Sequence, residues 1–255
     1  MEIQKGKINE ASKDLLYGVE GVGKSSLAMV YPSPIFIDCE GSTNKLDVDR
    51  LVVRDWNEFK KASKLILGKY KESYLTVVID TLDWLERIAI NEVLRIDQAT
   101  SITDDWKYSY GKGEMKVKEF FENKLIPTFE AFMKNNKNVV LIAHATIKPF
   151  NDPVGGAYDH YALDMMKKTS AVARQWVNNV FFMNYKVKVV EGKGIEKNKA
   201  YGSKEVIIHT QRTPQYEAKR REKLNDEIKF TEGTHPFMSC VGLKEFPKPK
   251  EEKTE

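Results

Sequence analysis

Cysteine is nearly absent: the 255 residues hold two, Cys39 and Cys240, far apart and without metal-ligand spacing. That argues against a disulfide-stapled secreted scaffold and a cysteine-based metal site, so both thiols are expected to be structural, in a reducing cytoplasm. Long apolar runs are missing too. The longest are pieces such as VVLIA at 139–143, whereas a bilayer-crossing helix needs roughly 18 residues or more, so no membrane span is expected. The opening MEIQKGKINEASKD is polar and offers no apolar signal core, which predicts no secretory leader. Neither charge sign dominates: 41 Lys and Arg stand against 37 Asp and Glu, a net +4 that does not by itself demand a nucleic-acid partner. No internal repeat is visible. What the chain does have is 41% hydrophobic residues, enough at this length to bury a core.

Short β-rich runs alternate with helical stretches. DLLYG at 14–18 precedes a helix from Lys24, PIFIDCE at 34–40 precedes one near 57–70, and LTVVID at 75–80 precedes helices at 82–97 and about 114–134. NVVLIAHA at 138–145 closes the series. The order predicts an α/β fold with a mostly parallel central sheet flanked by helices, its strands apolar on both faces. From 146 to about 168 the pattern lapses, and TIKPFNDPVGGAYDHYALDMMKK reads as a long functional loop hinged at Gly155-Gly156. ARQWVNNVFFMNYKVKVV and SKEVIIHTQR read as a hairpin joined by the polar EGKGIEKNKAYG, so antiparallel strands are added towards the C-terminus. One domain is expected over 1–235, with an extension over 236–255 that is disordered from about 247, because nothing apolar follows Phe246.

Gly18, Val19, Glu20, Gly21, Val22, Gly23, Lys24 and Ser25 satisfy G-x-x-x-x-G-K-[ST] between a predicted strand and a predicted helix, the context that the phosphate-binding loop requires. Chance would supply the four fixed positions in roughly one chain in a hundred of this length, so the stretch, continued by Ser26, reads as a nucleotide cradle. Backbone N–H groups of the turn and helix start face a polyanion, Lys24 reaches the β- and γ-phosphates, and Ser25 enters the shell of a Mg²⁺ ion. Asp80, ending the apolar LTVVID, is placed beside that loop as a second Mg²⁺ contact. Glu40, closing another strand, is positioned to take a proton from an attacking water.

PIFIDCEGSTNKLD, LTVVIDTLDWL and VVLIAHATIK, in that order behind the phosphate loop, resemble the ATPase core of RecA and RadA recombinases. They are still more similar to the short RecA-like ATP-binding proteins of bacteriophages counted among single-strand annealing and recombination proteins, a resemblance covering residues 10–232. It implies a Mg²⁺-dependent P-loop ATPase, with Glu40 as general base and His144 as the sensor of the γ-phosphate. The two DNA-carrying loops of such proteins match 98–117 and 146–170. The first interleaves Trp106, Tyr108 and Tyr110 with Lys107, Lys112 and Lys116, stacking faces beside phosphate-binding cations. The second offers Lys148, Lys167 and Lys168. In HTQRTPQYEAKRREKL, the resemblance makes Arg212, Lys219, Arg220 and Arg221 candidates for a cation that reaches the nucleotide of an adjoining subunit. The implied partners are single-stranded DNA, a single-strand-binding protein and further copies in a ring or filament, in the host bacterial cytoplasm if the chain is phage-encoded. The polymerisation and long C-terminal domains of full recombinases are not expected.

The leading expectation is therefore a DNA-dependent ATPase promoting annealing or strand exchange. A replication accessory or helicase loader gripping a protein partner is the alternative. A small-molecule kinase would need an arginine-rich lid where these loops are rich in lysine and aromatics. Nucleotide binding without turnover would require Glu40 to be idle. Asn44-Lys45-Leu46-Asp47 matches the Asn-Lys-x-Asp pattern of GTPases, so the choice of ATP rests on the resemblance alone.

Overall fold

A computed structural model describes residues 5–6, 10–103, 106–153, 155–190 and 199–245. In chain order the elements are β1 (Lys13–Gly18), α1 (Lys24–Met29), β2 (Pro34–Asp38), β3 (Arg50–Val52), α2 (Trp56–Leu67), β4 (Thr76–Asp80) and α3 (Leu82–Asp97). They continue with α4 (Lys112–Phe120), α5 (Ile126–Lys134), β5 (Asn138–Asp152), β6 (Gly156–Leu163) and α6 (Lys167–Trp176). The last are β7 (Asn179–Val190), β8 (Lys199–His209) and β9 (Glu227–Phe230). One sheet runs β3-β2-β4-β5-β1-β7-β8-β9, with β6 paired to the far half of β5. Strands β1 to β5 and β7 are parallel within it, while β8 and β9 are antiparallel additions.

The predicted core strands earn their place by burial on both faces: every residue of TVVID in β4 is buried. On one face Phe59, Leu85, Val117, Phe129 and Val172 bring α2 to α6 down onto the sheet. The other face is covered by Leu27 and Ala28 of α1 together with Phe237 and Val241 from beyond β9. Asn138, fully buried at the start of β5, ties this arrangement together: its Oδ1 accepts from Ser12 N–H at 2.9 Å and Leu243 N–H at 3.1 Å. Its amide nitrogen donates to the Leu243 carbonyl at 2.8 Å. Cys39 is buried, Cys240 half-buried, and both are free thiols. Among the described residues no helix is long and apolar enough to cross a membrane.

Two expectations are corrected. The segment 146–168 is not an irregular loop, because β5 continues to Asp152 and pairs with β6 from Ala145↔Leu163 to Asp152↔Gly156. Cross-strand contacts carry this hairpin, with the Phe150 and Tyr158 rings 5.4 Å apart, and the glycine pair makes its turn, Gly156 at φ +81° and Gly155 N–H donating to Asp152 Oδ1. Pro149 suggested a break, yet proline is tolerated where a strand has left the body of a sheet. The second correction concerns 173–176, which belong to α6 rather than to a strand. A stripe of Thr169, Ser170, Val172 and Ala173 is buried at helical spacing. The segment 210–224 is irregular and is bridged to Val180 and Tyr161. Strands β3 and β9 were not foreseen. Of the expected connection at 191–202, residues 199–202 belong to β8 and 191–198 lie outside the described residues, as does the expected disordered tail.

Glu86 of α3 is buried and accepts hydrogen bonds from Met166 N–H and the Thr169 hydroxyl at the start of α6. Burial pushes its carboxyl up from 4.5 to about 7, against the pull of Thr169, Met166 and Lys148, with Asp83 adding to the rise. The folded state therefore holds a proton that the unfolded chain has lost. Its contribution is fully present below about pH 4.5 and is lost as pH climbs through about 7, a decline on the order of 3 kcal/mol. Asp14, lifted to about 6 mainly by burial, adds a slope of the same sign. Glu86→Gln keeps the acceptor and removes the titration. Urea denaturation is expected to find the variant more stable than the native chain at pH 8 and no more stable at pH 4.5. A native-like slope in the variant would refute the assignment.

Candidate nucleotide-binding site

The parallel register brings the chemistry to one rim. Gly18 at the end of β1 pairs with His144 in β5, and Asp80 at the end of β4 pairs with Ile142 two residues earlier. Gly18 is required by close packing: a Cβ there would lie 2.2 Å from the Met183 carbonyl oxygen of β7. Gly21 and Gly23 take φ of +70° and +92°, a left-handed turn that glycine adopts without strain and that leads into α1. Since α1 spans six residues, the turn amides and Lys24 form the cradle rather than a long helix dipole.

A cleft of about 470 Å³ is lined by Glu20, Gly21, Val22, Gly23, Lys24, Ser25 and Ser26 and is closed by Glu40, Asp80, Thr81 and His144. Gly18 and Val19 stand behind it and give their carbonyls to Lys24 Nζ, at 3.0 and 2.9 Å. Burial lowers the Lys24 pKa, while Asp80, Asp83, Glu40 and Glu20 raise it. Ser25 Oγ donates to Asp80 Oδ2 at 2.8 Å. Burial pushes the Asp80 carboxyl up to about 6, Ser25 lowers it, and Glu40 and Asp38 add to the rise.

The donor set fits Mg²⁺. A hydroxyl and a carboxylate lie in contact, and Thr81 lines the cleft beside them. No cluster of three or more His, Cys, Asp or Glu forms a closed cage among those residues. That suits an ion which takes one or two protein oxygens and completes its shell with phosphate and water. Ser25 and Asp80 would hold such an ion, which would supply charge neutralisation for a phosphate in the cleft. The Asp80–Thr81 peptide is cis.

Glu40 lies just past β2. The N–H groups of Cys39 and Glu40 donate to the Asp80 carbonyl, and Asp38 accepts from Gly41 N–H and the Thr43 hydroxyl, which fixes the turn carrying Glu40. His144 Nε2 stands 4.0 Å from Glu40 Oε1. Its other nitrogen, Nδ1, lies 2.9 Å from Asp83 Oδ2, and its backbone N–H donates to Asp83 Oδ1 at 3.0 Å. Asp83 was not anticipated. In the sequence it looks like an ordinary acidic residue in the first turn of a helix, and only the fold shows it 3% exposed and gripping His144 at two points. The hydrogen bond to Asp83 raises the His144 pKa, burial opposes this, and the Asp83 charge adds to the rise.

The expected DNA-binding residues lie away from this cleft and fall into two groups. Trp106 and Tyr110 are 82% and 102% exposed. Lys112 and Lys116 are exposed beside them, Lys167 is exposed at the start of α6, and Lys168 pairs with Glu114 at 3.4 Å. The Lys168 ammonium also sits against Gly111, so the two predicted DNA segments adjoin. The rest are committed elsewhere. Tyr108 is buried, with its hydroxyl donating to Asp97 Oδ2, and Lys107 Nζ donates to the Asp97 and Gln98 carbonyls at the end of α3. Lys148 Nζ donates to the Leu163 and Met165 carbonyls.

Of the four cations considered for a neighbouring subunit, none lines the cleft of its own chain. Arg212 and Arg221 are exposed, Arg220 pairs with Asp226 at 2.7 Å, and Lys219 Nζ donates to the Arg174 carbonyl.

The chain has four histidines, few enough to follow singly. Asp83→Asn keeps the shape and removes the charge, so NMR titration is expected to show the His144 pKa falling by about one unit or more, the usual effect of losing an adjacent opposite charge. An unchanged value would remove Asp83 from its role.

No curated protein matches the chain. The AAA domain family matches residues 10–222, a span that includes the glycine-rich turn, Asp80 and His144. With a mostly parallel sheet ending in that turn, the chain belongs to the AAA domain family of P-loop ATPases.

Proposed function

We propose that the protein is a DNA-dependent ATPase that hydrolyses ATP to ADP and phosphate with Mg²⁺ and uses the bound nucleotide to control its grip on single-stranded DNA during annealing or strand exchange. Lys24 and the turn amides hold the triphosphate, and Ser25 and Asp80 hold the ion. Glu40 takes a proton from the water whose oxygen bonds to the γ-phosphorus, while the bond from that phosphorus to the bridging oxygen of ADP breaks. His144, with Nδ1 turned to Asp83, leaves Nε2 facing the γ-phosphate side of the cleft.

One observation carries the link to DNA. His144 is the last β5 residue paired with β1, and Ala145 is the first paired with β6. The nucleotide sensor is thus the root of a hairpin. Single-strand binding falls to Trp106 and Tyr110 as stacking faces and to Lys112, Lys116 and Lys167 as phosphate contacts. Arg212 and Arg221, exposed and remote from their own cleft, are the cations of choice for a neighbouring copy in a ring or filament.

The experiment is ATP turnover with and without single-stranded DNA, in the native chain, in Lys24→Ala and in a Trp106→Ala/Tyr110→Ala double variant. Several-fold stimulation by DNA is expected for the native chain, no turnover for Lys24→Ala, and unstimulated basal turnover for the double variant. Each stacked base contributes about 1–3 kcal/mol, so DNA affinity should fall tenfold or more in that variant. Turnover that ignores DNA at every salt concentration would overturn this reading in favour of a loader acting on a protein partner.

A further inference from the structure

The glycine-rich turn has two sides. The cleft described above lies towards β5 and β4. Towards β7 and β9 lies a second one, of about 740 Å³, which shares Gly21, Val22, Gly23 and Ser26 with the first. Its other wall comes from β7 and from the antiparallel addition, chiefly Tyr185, Lys204, Val206 and Phe230.

That wall is built by register. Gly18 pairs with Met183, so Tyr185 stands one pleat beyond the end of β1, on the same sheet face as Met183. Tyr185 pairs with Val206 and Val206 with Phe230, which sets the three side chains in one row flanking the turn. Both rings are pinned to its backbone. Tyr185 Oη donates to the Gly21 carbonyl at 2.9 Å, and a Cβ on Gly23 would meet Phe230 Cε1 at 3.0 Å.

A triphosphate laid along the turn has its γ-end fixed by Glu40, Asp80 and His144 on the first side, so its nucleoside end emerges on the second. We propose that this second cleft is the nucleoside subsite, with the base against the Phe230 and Tyr185 rings and the Lys204 ammonium towards the sugar and α-phosphate. The inference rests on the first cleft holding the triphosphate. The rings give a base a stacking surface in a position that the glycine-rich motif does not encode.

Calorimetry with MgATP and with magnesium tripolyphosphate separates the two halves. Phe230→Ala is expected to weaken MgATP by about tenfold or more, the loss of one stacked ring, and to leave tripolyphosphate affinity unchanged. Lys24→Ala weakens both. Equal losses for the two ligands in Phe230→Ala, or no loss of either, would overturn the subsite. Failure of the native chain to bind either ligand would instead remove the reading beneath it. Should Phe230→Ala not fold, photolabelling of the native chain with 8-azido-ATP decides: label on Tyr185 or within 228–232 supports the subsite, and label confined to other segments overturns it.

Discussion

Everything chemical in this molecule depends on the hydrogen-bonded register of three parallel strands. β4, β5 and β1 point the same way, so their C-terminal ends share one rim, and the pairings Gly18↔His144 and Asp80↔Ile142 set their heights. A slip of one residue would turn each side chain to the opposite face. The register is held from the opposite end by Asn138, whose buried amide binds the residues before β1 and after β9 at once. Burial on both faces gives these strands no cheaper alignment, because any slip would strand backbone donors away from water.

On that rim, negative charge is crowded and under-compensated. Asp38, Asp80 and Asp83 are each 3% exposed or less, Glu40 stands next to them, and Lys24 is the buried cation of the cleft. Asp38 spends its carboxylate on the turn after β2, and Asp83 spends its own on His144. Asp80 receives one hydroxyl, from Ser25, and its carboxyl is driven up to about 6 by burial. Lys24 faces loop carbonyls rather than any of these carboxylates. Under the proposed function, a divalent ion at Asp80 and a phosphate at Lys24 would offset the cost of that arrangement.

How much of this the sequence reveals depends on the range of the interaction. The glycine-rich turn is local: left-handed φ at Gly21 and Gly23, a lysine and a hydroxyl follow one another along the chain, so pattern and site coincide. Asp80 and Glu40 were legible because an apolar run ending in a carboxylate has to deliver it to the rim. Asp83 was not, since its significance lies in a residue sixty-one positions away, and an acidic residue at a helix start has an ordinary explanation. The hairpin after His144 was missed because Pro149 and the glycine pair mimic a loop, whereas the strand pairing that overrides them is tertiary. Tyr108 and Lys148 differ again: their residue types suit DNA, and the fold adds hydrogen bonds to Asp97 and to the Leu163 and Met165 carbonyls that the sequence does not show.

The hairpin is not free to move by itself, and the reason lies in α3. Asp83 grips His144, where β5 leaves the parallel sheet. One helical turn later Glu86 grips Met166 and Thr169, where the chain leaves β6 and enters α6. The His144 carbonyl accepts from Asp164 N–H at 2.9 Å, and Lys148 bonds to carbonyls at 163 and 165, so the two roots are also tied to each other. Under the proposed function, a displacement of His144 by a phosphate would find no local slack in the hairpin stem. It either breaks the Asp83 contact or carries α3, the stem and the start of α6 together. Because Lys168 of α6 lies against Gly111, the second course also reaches the segment that exposes Trp106 and Tyr110. The buried Glu86, whose carboxyl is lifted by both burial and Asp83, is the joint at which the two ends of this path meet.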